Sequence, residues 1–160
     1  MTQRDQLAAF LVRLADAGLQ AEAQEATGLA PAQLILVRPE DWGRLGVEAK
    51  TWGCRWVAGW GEELGAEGSE SIRINACFEK AGAYLVARTA VPRAAPLLAS
   101  HTVSYPGADR PERHMRDLLG VVFSDHPDAR RWTRHQAWKD SEFPLRRDFP
   151  AAGRPPAETP

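Results

Sequence analysis

Apolar residues in the first part of the chain recur with the period of a helix. Four of them are spaced three or four positions apart: Leu7, Phe10, Leu11 and Leu14. This spacing predicts an amphipathic helix over residues 4–17, which Gly18 is placed to end. Residues 20–30 show no clear period, and we interpret them as a short strand followed by a loop.

The next two segments predict a buried strand and a short helix. Leu34–Val37 is apolar at every position, as expected for a central strand that is covered on both faces. Pro39 ends that strand. Residues 40–52 then predict a short helix with acidic residues in its first turn, although two glycines weaken the pattern.

The middle of the chain alternates as an antiparallel sheet does. Apolar residues stand at every second position in one run: Ile72, Ile74, Ala76 and Phe78. Three strands are predicted, over 55–64, 70–79 and 83–91, with turns at 66–69 and 80–82. The same alternation predicts that three residues of the first strand share one face: Trp56, Ala58 and Trp60.

Residues 108–119 predict the last helix, with Asp109 as its cap and Gly120 at its end. In that helix Glu112 is spaced to pair with Arg116. Residues 121–150 have no regular period and are expected to form an extended arm. The chain is therefore predicted to be a single α+β domain over 1–150, with an antiparallel or mixed sheet of about four strands and helices packed on it. A disordered proline-rich tail is expected over 151–160.

Composition agrees with a globular protein, since 44% of the 160 residues are hydrophobic and 26% are charged. No apolar run is long enough to cross a bilayer, and the charges in residues 1–20 interrupt any signal-peptide core. Membrane contact is therefore expected only through partners. The net charge of −1 conceals an asymmetry: residues 1–70 hold six basic and eleven acidic residues, whereas 109–147 hold nine and seven.

The two cysteines are not spaced as a disulfide framework. If strands 55–64 and 70–79 pair as a hairpin, Cys77 is expected opposite Val57 and not opposite Cys54. We therefore expect both thiols to be reduced, in a cytosolic protein.

The sequence lacks the usual patterns of catalytic and metal-binding sites. Its four histidines do not place two ligands on one helical face: His101, His114, His126 and His135. No glycine-rich loop joins a strand to a helix, and the adjacency of Ser100 and His101 does not make a nucleophile–base pair. We expect no catalytic, metal-binding or cofactor-binding residue in this chain, and we expect His126 to hold a turn by hydrogen bonding.

Arginines and aromatic residues are dense near the end of the chain. The cluster consists of Arg130, Arg131, Arg134, Arg146 and Arg147 with Trp132, Trp138, Phe143 and Phe149. This mixture is enriched at interface hot spots, because a guanidinium both stacks on rings and pairs with carboxylates. It can also grip nucleic acid, but the interleaved acidic residues would repel phosphates, so a protein partner is favoured. Simple solvation of a surface loop stays a third alternative.

The segment 112–132, together with 143–150, resembles the signature of the thirty-kilodalton subunit family of respiratory complex I, an NADH-quinone oxidoreductase. That signature reads Glu-Arg, a short spacer, Asp-Leu, an aromatic residue and Gly, then Gly-His-Pro-Asp, one residue and Arg-Arg, and later Pro-Leu-Arg-Lys-Asp and an aromatic residue. The matching residues here are Glu112, Arg113, Asp117, Leu118, Gly120, His126, Pro127, Asp128, Arg130, Arg131, Pro144, Leu145, Arg146, Asp148 and Phe149. The order of the upstream elements also fits.

Three positions depart from the family pattern, which usually has an acidic residue where His114 stands, an aromatic residue at Leu119 and glycine at Asp125. Other residues instead resemble the branch of the family found in membrane-bound, energy-converting nickel–iron hydrogenases and formate hydrogenlyase: Arg131, Trp132, His135 and Trp138.

The resemblance implies a scaffold subunit that holds no cofactor and that docks on the large subunit, which carries the nickel–iron or quinone site, and on its iron–sulfur neighbours. It implies a cytoplasmic position, peripheral on the inner face of the cell membrane through the complex. A hydrogenase-type complex is favoured over an NADH:quinone type, and a nucleic-acid-binding module or an independent enzyme with a histidine base are more remote alternatives. The residues expected to make docking contacts are Glu112, Arg113, Arg116, Asp117, His126, Pro127, Asp128, Arg130, Arg131, Trp132, Trp138, Arg146, Arg147 and Phe149.

Overall fold

The computed structural model of the chain describes residues 2–25, 32–64, 70–135, 137–150, 152 and 153. Its helices are α1 (Gln3–Asp16), α2 (Trp42–Thr51) and α3 (Asp109–Leu119). Its strands are β1 (Ala21–Gln24), β2 (Gln33–Val37), β3 (Arg55–Glu63), β4 (Ser71–Lys80), β5 (Ala83–Pro92), β6 (Leu97–Ala99) and β7 (Val122–Ser124). Single 3-10 turns over Pro39–Asp41 and Pro106–Ala108 lead into α2 and α3.

Five strands form one mixed sheet in the order β1-β2-β5-β4-β3. β2 and β5 run parallel, and the other neighbouring pairs are antiparallel. The predicted α+β fold with a mixed sheet is confirmed, but the sheet has five strands rather than four, because the ambiguous segment contributes β1. A second sheet joins β6 to β7 in parallel, and the sequence predicts neither strand because three residues are too few to show alternation.

The predicted helices are confirmed, with small differences at their ends. α1 begins with a capping box, in which Thr2 Oγ1 accepts from Asp5 N at 3.2 Å and the Asp5 carboxylate accepts from Thr2 N at 2.7 Å. The predicted cap of α3 is wrong, since Asp109 is its first residue and Ala108 occupies the cap position without a side-chain bond. The predicted turn at 66–69 and nearly all of the tail at 151–160 lie outside the described residues.

The core forms where the three helices pack on one face of the sheet. The largest fully buried side chains there are Phe10, Leu14, Ile35, Trp42, Leu45, Ile72, Ile74, Phe78 and Leu119. The small second sheet adds Leu98 and Phe123 to the same cluster. Burial of this many large apolar side chains against one another is the main favourable contribution to the stability of the fold.

A β-bulge in β3 alters the register that simple alternation predicts. β3 pairs with β4 at Trp56 and again at Ala58, so Val57 is an extra residue between them. Trp56 therefore lies on the helix side of the sheet with Phe78, whereas Ala58 and Trp60 lie on the opposite side. The prediction that these three residues share a face is wrong, because one inserted residue reverses the alternation beyond it.

The bulge also moves the expected partner of one cysteine. Cys77 pairs with Ala58, one residue beyond the predicted Val57. Cys54 and Cys77 are both free thiols, and burial raises the pKa of Cys54 to about 11. A thiol with so high a pKa is a poor nucleophile, so Cys54 acts as a small packing residue.

Gly61 allows α3 to approach β3 closely. A methyl group added there would come within 2.7 Å of Leu119 Cδ1 and 3.2 Å of Met115 Sδ, both in the buried core. We expect Gly61→Ala to lower the free energy of unfolding by about 1–3 kcal/mol, measured by urea denaturation. The matched control is Gly107→Ala, where the added methyl meets no atom within 4 Å. Equal midpoints for the two variants would contradict this account of the packing.

Candidate docking interface

α3 and the arm that follows it bring together most of the residues singled out by the sequence. One side of α3 places Met115 and Leu119 in the core, and the remaining sides carry charged residues. Gly120 takes a left-handed conformation, with φ of +77°, and turns the chain from α3 toward β7. Beyond β7 the arm returns along α3, so the polar side chains of the helix face the arm's main chain.

Glu112 is buried against the loop that precedes α3 and not paired with Arg116 as predicted. Its carboxylate accepts from Ser100 Oγ at 2.6 Å and from His101 N at 2.8 Å, and Glu112 is only 3% exposed. Burial raises the pKa of Glu112 to about 7, although these two hydrogen bonds oppose the rise. The carboxyl group therefore holds the loop at 100–102 and not the helix surface.

The His126-Pro127-Asp128 turn is held by its own histidine, as the sequence predicts. His126 Nδ1 accepts from Asp128 N at 3.1 Å, which leaves Nε2 to donate to Asp109 O at 3.2 Å. This pairing corresponds to the neutral imidazole with its proton on Nε2. The turn is thereby tied to the first residue of α3.

Asp128 joins this turn to two arginines. Arg130 donates to both of its carboxylate oxygens, at 2.7 Å from Nη2 and 3.0 Å from Nε, and Arg113 Nη1 lies 3.0 Å away. The side-chain hydrogen bonds from Arg130 hold the pKa of Asp128 well below its usual value. The carboxylate therefore stays ionised and keeps both guanidinium groups in place.

Two arginines of α3 bind main-chain carbonyl groups of the arm. Arg113 donates from Nε to Arg130 O at 3.1 Å and from Nη2 to Arg131 O at 3.2 Å, and Arg116 donates to Asp128 O at 3.1 Å. Arg113 is only 7% exposed. These guanidinium groups satisfy carbonyls that no strand or helix would otherwise pair, which explains how an arm without regular structure stays packed.

Asp117 makes the complementary contact with the arm's donors. Its Oδ2 accepts from the backbone N–H groups of Trp132 at 2.7 Å, Thr133 at 2.6 Å and Arg134 at 3.2 Å. Burial alone would raise the pKa of Asp117, but these three bonds prevail and lower it. One carboxylate oxygen thus fixes three consecutive residues of the arm.

The later part of the arm folds around two further arginines. Arg134, 8% exposed, donates to the carbonyls of Lys139 at 3.0 Å and Glu142 at 2.6 Å. Arg131 donates to the carbonyls of His135 at 3.2 Å and of Trp138 at 2.8 Å. The role of Arg134 is not distinguishable in the sequence from that of nearby arginines, because they carry the same charge and lie in the same local composition.

The end of the arm is attached to α3 and to the sheet. Arg146 Nε donates to Leu119 O at 2.7 Å, which satisfies a carbonyl at the C-terminal end of α3. Arg147 donates its backbone N–H to Glu63 Oε2 at 2.5 Å. The rings of Trp138 and Phe149 lie 5.7 Å apart and are both partly buried within the arm.

One group of side chains near the start of the arm stays accessible. Trp132 is 47% exposed, and the guanidinium groups of Arg110 and Arg113 lie 4.7 and 5.3 Å from its ring centre. The Arg130 side chain is 83% exposed. We refer to Arg110, Arg130 and Trp132 as the Trp132 surface. Sequence reasoning missed Arg110, whose only signal is its spacing of three residues from Arg113 on α3.

The described part of the chain holds neither a metal-binding cluster of side chains nor a membrane-spanning helix. Within it, no group of three or more His, Cys, Asp or Glu side chains is arranged to hold a metal ion. Among those same residues, no helix has the length and apolar character that crossing a bilayer requires.

The family model for the 30 Kd subunit of respiratory-chain NADH dehydrogenase matches residues 54–155, well over half of the chain. The chain therefore belongs to the complex I 30 kDa subunit family. The matched region includes β3, β4 and β5 as well as α3 and the arm, which is where the sequence signature lies.

Two curated relatives agree with this assignment, and each is the C subunit of an NADH-quinone oxidoreductase. The protein of Bartonella tribocorum is 43% identical over 56 residues, which are 35% of this chain and 27% of the relative. The protein of Maricaulis maris is 47% identical over 49 residues, 31% of this chain and 24% of the relative. The aligned stretch therefore spans about a quarter of these relatives.

Two solved structures share the fold at low sequence identity. The trypsin-resistant fragment of Nqo5 is 21% identical, with a TM-score of 0.60, and the match covers 76% of this chain and 98% of the fragment. A chain of the membrane-bound sulfane sulfur reductase, an archaeal respiratory membrane complex, is 16% identical, with a TM-score of 0.65 over 94% of this chain and 87% of that one.

Proposed function

We propose that the chain is a non-catalytic scaffold subunit in the peripheral part of a membrane-bound, complex I-like oxidoreductase. It docks on the large subunit of that complex and on iron–sulfur neighbours, and it holds no cofactor itself. It lies on the cytoplasmic side of the membrane and reaches the membrane only through these partners. Membership of the 30 kDa subunit family supports the proposal.

The observation that carries the docking role is the Trp132 surface. The half-exposed ring of Trp132, with the exposed side chains of Arg110 and Arg130, leaves apolar and cationic surface facing solvent. Tryptophan and arginine are the residues that contribute most to interface hot spots. The backbone of Trp132 is fixed by Asp117, so the anchor is preorganised and little entropy is lost on binding.

Fewer residues are available for docking than the sequence predicts. Several of the residues expected at the interface instead make hydrogen bonds within this chain: Glu112, Arg113, Arg116, Asp117, His126, Asp128, Arg131 and Arg146. We infer that these residues hold the arm against α3 in the conformation that the partner recognises. Trp132 and Arg130, with Arg110, are the residues assigned to contact the partner.

For the type of complex, we propose the hydrogenase-type branch. The residues that support this choice are those that resemble that branch: Arg131, Trp132, His135 and Trp138. The likeness to a chain of the archaeal sulfane sulfur reductase complex concerns the fold alone. The second candidate is an NADH:quinone oxidoreductase, which the curated relatives favour by their names. Nickel-binding cysteine pairs in the large subunit encoded next to this chain would decide for the hydrogenase type, and their absence would decide against it.

The docking role is tested by co-expression with the neighbouring large subunit and iron–sulfur subunits. Removing the exposed anchors in the double variant Arg130→Ala/Trp132→Ala is expected to reduce the amount of large subunit that co-purifies at least about tenfold, because truncating interface hot spots weakens binding most. The matched control is Arg4→Ala/Val12→Ala, which removes an exposed arginine and an exposed apolar residue from α1. Undiminished co-purification of the arm variant would refute the docking surface.

Two further measurements test the rest of the proposal. Iron, nickel or flavin bound in stoichiometric amount to the purified chain would refute a cofactor-free role. Binding of nucleic acid that weakens steeply with salt would instead support the nucleic-acid alternative.

A further inference from the structure

The face of the sheet opposite the helices carries a second set of residues with the composition of an interface. The strand register places one row of side chains across this face: Glu22, Leu36, Arg88, Asn75 and Trp60. The adjacent row consists of Gln24, Leu34, Val86, Cys77 and Ala58. The three helices all pack on the other face, so this face is not part of the main core.

β2 shows most clearly that this face is unusual. Ile35 and Val37 belong to the core, whereas Leu34 and Leu36 alternate with them and lie on the opposite face. A sheet with one solvated face normally carries polar residues there, and a strand that is apolar on both faces is normally covered on both. Leu34 and Val86 on this face are each only 2% exposed, whereas Leu36 and Trp60 are only partly buried. The apolar surface that this face leaves accessible is therefore that of Leu36 and Trp60, next to Arg88.

Arg88 adds a positive charge at the centre of this face and reaches a carboxylate only indirectly, through Asn75, whose Nδ2 donates to Glu62 Oε1 at 3.3 Å. Arg88 Nε donates to Asn75 Oδ1 at 2.8 Å, and among the described residues no carboxylate oxygen lies within 4 Å of its guanidinium group. The neighbouring Arg73 takes the nearest carboxylate, that of Glu62, at 3.4 Å. Burial and Arg73 lower the pKa of Arg88, and the more distant carboxylate of Glu62 opposes this only in part. A half-buried guanidinium in these surroundings is stabilised if a carboxylate is brought to it.

We propose that this face is a second docking surface, whose occupant is a partner polypeptide that presents an aspartate or glutamate to Arg88 and apolar side chains to Leu36 and Trp60. We call it the Arg88 surface and define it as Leu36, Ala58, Trp60, Arg73 and Arg88. A small inorganic anion would satisfy the guanidinium but would leave the apolar side chains exposed, whereas a polypeptide segment does both. The inference rests on the proposed function, because it assigns this occupant to a subunit of the same complex.

Charge reversal in the co-expressed complex tests the charge pair. Arg88→Glu is expected to weaken retention of the partner at least about thirtyfold, because truncating or opposing one member of a buried charge pair is among the costliest interface changes. Arg88→Met, which keeps the apolar part of the side chain, is expected to weaken it less. Arg4→Glu on α1 is the matched control, and thermal melts of all three variants report whether each one folds. Retention of every partner by a folded Arg88→Glu variant would refute the inference.

Photo-crosslinking identifies the occupant without removing any charge. Ala58 is replaced by p-benzoylphenylalanine in the full chain, and the cross-linked peptides from the intact complex are sequenced by mass spectrometry. A peptide from a partner subunit with Asp or Glu within about three residues of the cross-link supports the proposal. A cross-link to a second copy of this chain, a partner peptide without an acidic residue, or no intermolecular product would each refute it.

These outcomes separate the two proposals. If the unchanged chain co-purifies with no neighbouring subunit, both the proposed function and this inference fail. If the complex forms through the Trp132 surface but the position-58 cross-linker reaches no acidic partner segment, only this inference fails.

Discussion

Replacing Asp117 by alanine is expected to lower the free energy of unfolding by about 3–5 kcal/mol and to release the arm from α3. Oδ2 of this carboxylate accepts from three consecutive backbone N–H groups, and the residue is only 1% exposed. Without it, these donors stay buried without an acceptor. Asp117→Asn keeps one acceptor oxygen and is expected to lose less stability.

Urea denaturation and limited trypsin digestion would measure the effect of the Asp117 variants. Release of the arm should expose trypsin sites that are now buried, such as Arg134. Asp140→Ala is the control, because its carboxylate is 97% exposed although it also pairs with an arginine of the arm, and it is expected to leave the unfolding midpoint nearly unchanged. Equal midpoints and equal digestion patterns for both alanine variants would show that Asp117 does not hold the arm.

Acid is expected to have a similar effect to the Asp117 substitution. The pKa of Asp117 and that of Asp128 are both lowered in the folded chain. A carboxyl group with a lowered pKa contributes stability that is present above its unfolded pKa of about 4 and is lost as the pH falls through the folded value. The arm should therefore be released from α3 by acid before the core unfolds, because both carboxylates hold the arm.

The second large effect is expected from Glu112, and it runs in the opposite direction. Burial raises its pKa to about 7 in the folded chain, while an exposed glutamate titrates near 4.3. The folded state therefore holds a proton that the unfolded state has already lost. The contribution of Glu112 to stability is therefore greatest below its unfolded pKa, falls as the pH rises through that interval, and is lower by about 3 kcal/mol above pH 7.

Glu112→Gln is expected to remove this pH dependence. The glutamine oxygen can still accept from His101 N and its amide can donate to Ser100 Oγ, but no charge is buried at high pH. Urea midpoints at pH 5.5 and 8.5 would measure the change, since the wild type should lose stability between them and the variant should lose much less. Glu40→Gln is the control, because the Glu40 side chain is 61% exposed. An unchanged pH profile in the Glu112 variant would contradict the assignment.

The elements with a strong period were predictable from the sequence. The apolar spacing of α1, the uninterrupted apolar run of β2 and the alternation in β4 each occur where the structure has the element. These patterns work because a helix or strand must bury one face, and its period is set by backbone geometry alone. β1 and β6 are short, so their pairing depends on neighbours that a local pattern does not contain.

The bulge at Val57 shows a second limit. Nothing in the sequence of β3 marks the bulge, yet the bulge places Trp56 on the helix side of the sheet and Trp60 on the opposite face. An alternating pattern of apolar and polar residues in the sequence does not reveal this bulge. The Arg88 surface can therefore be recognised only after strand pairing is known, because its members come from four different strands.

The sequence by itself determined the family and the chemical character of this protein. The spacing of Glu112, His126, Asp128 and the later arginines carries the family signature, and the density of arginine and aromatic residues marks the region that we propose for docking. These are properties of residue identity and order, so they need no coordinates.

Only the tertiary structure decided which of those residues face inward. Arg113, Arg131 and Arg134 bind main-chain carbonyls of the arm, whereas Arg130 and Trp132 stay largely exposed. The difference depends on the path of an arm that has no repeating structure, and identical side chains a few residues apart take opposite roles along it. An arginine turns inward where main-chain carbonyl groups lie within hydrogen-bonding distance of its guanidinium group, and the fold determines where those carbonyl groups lie.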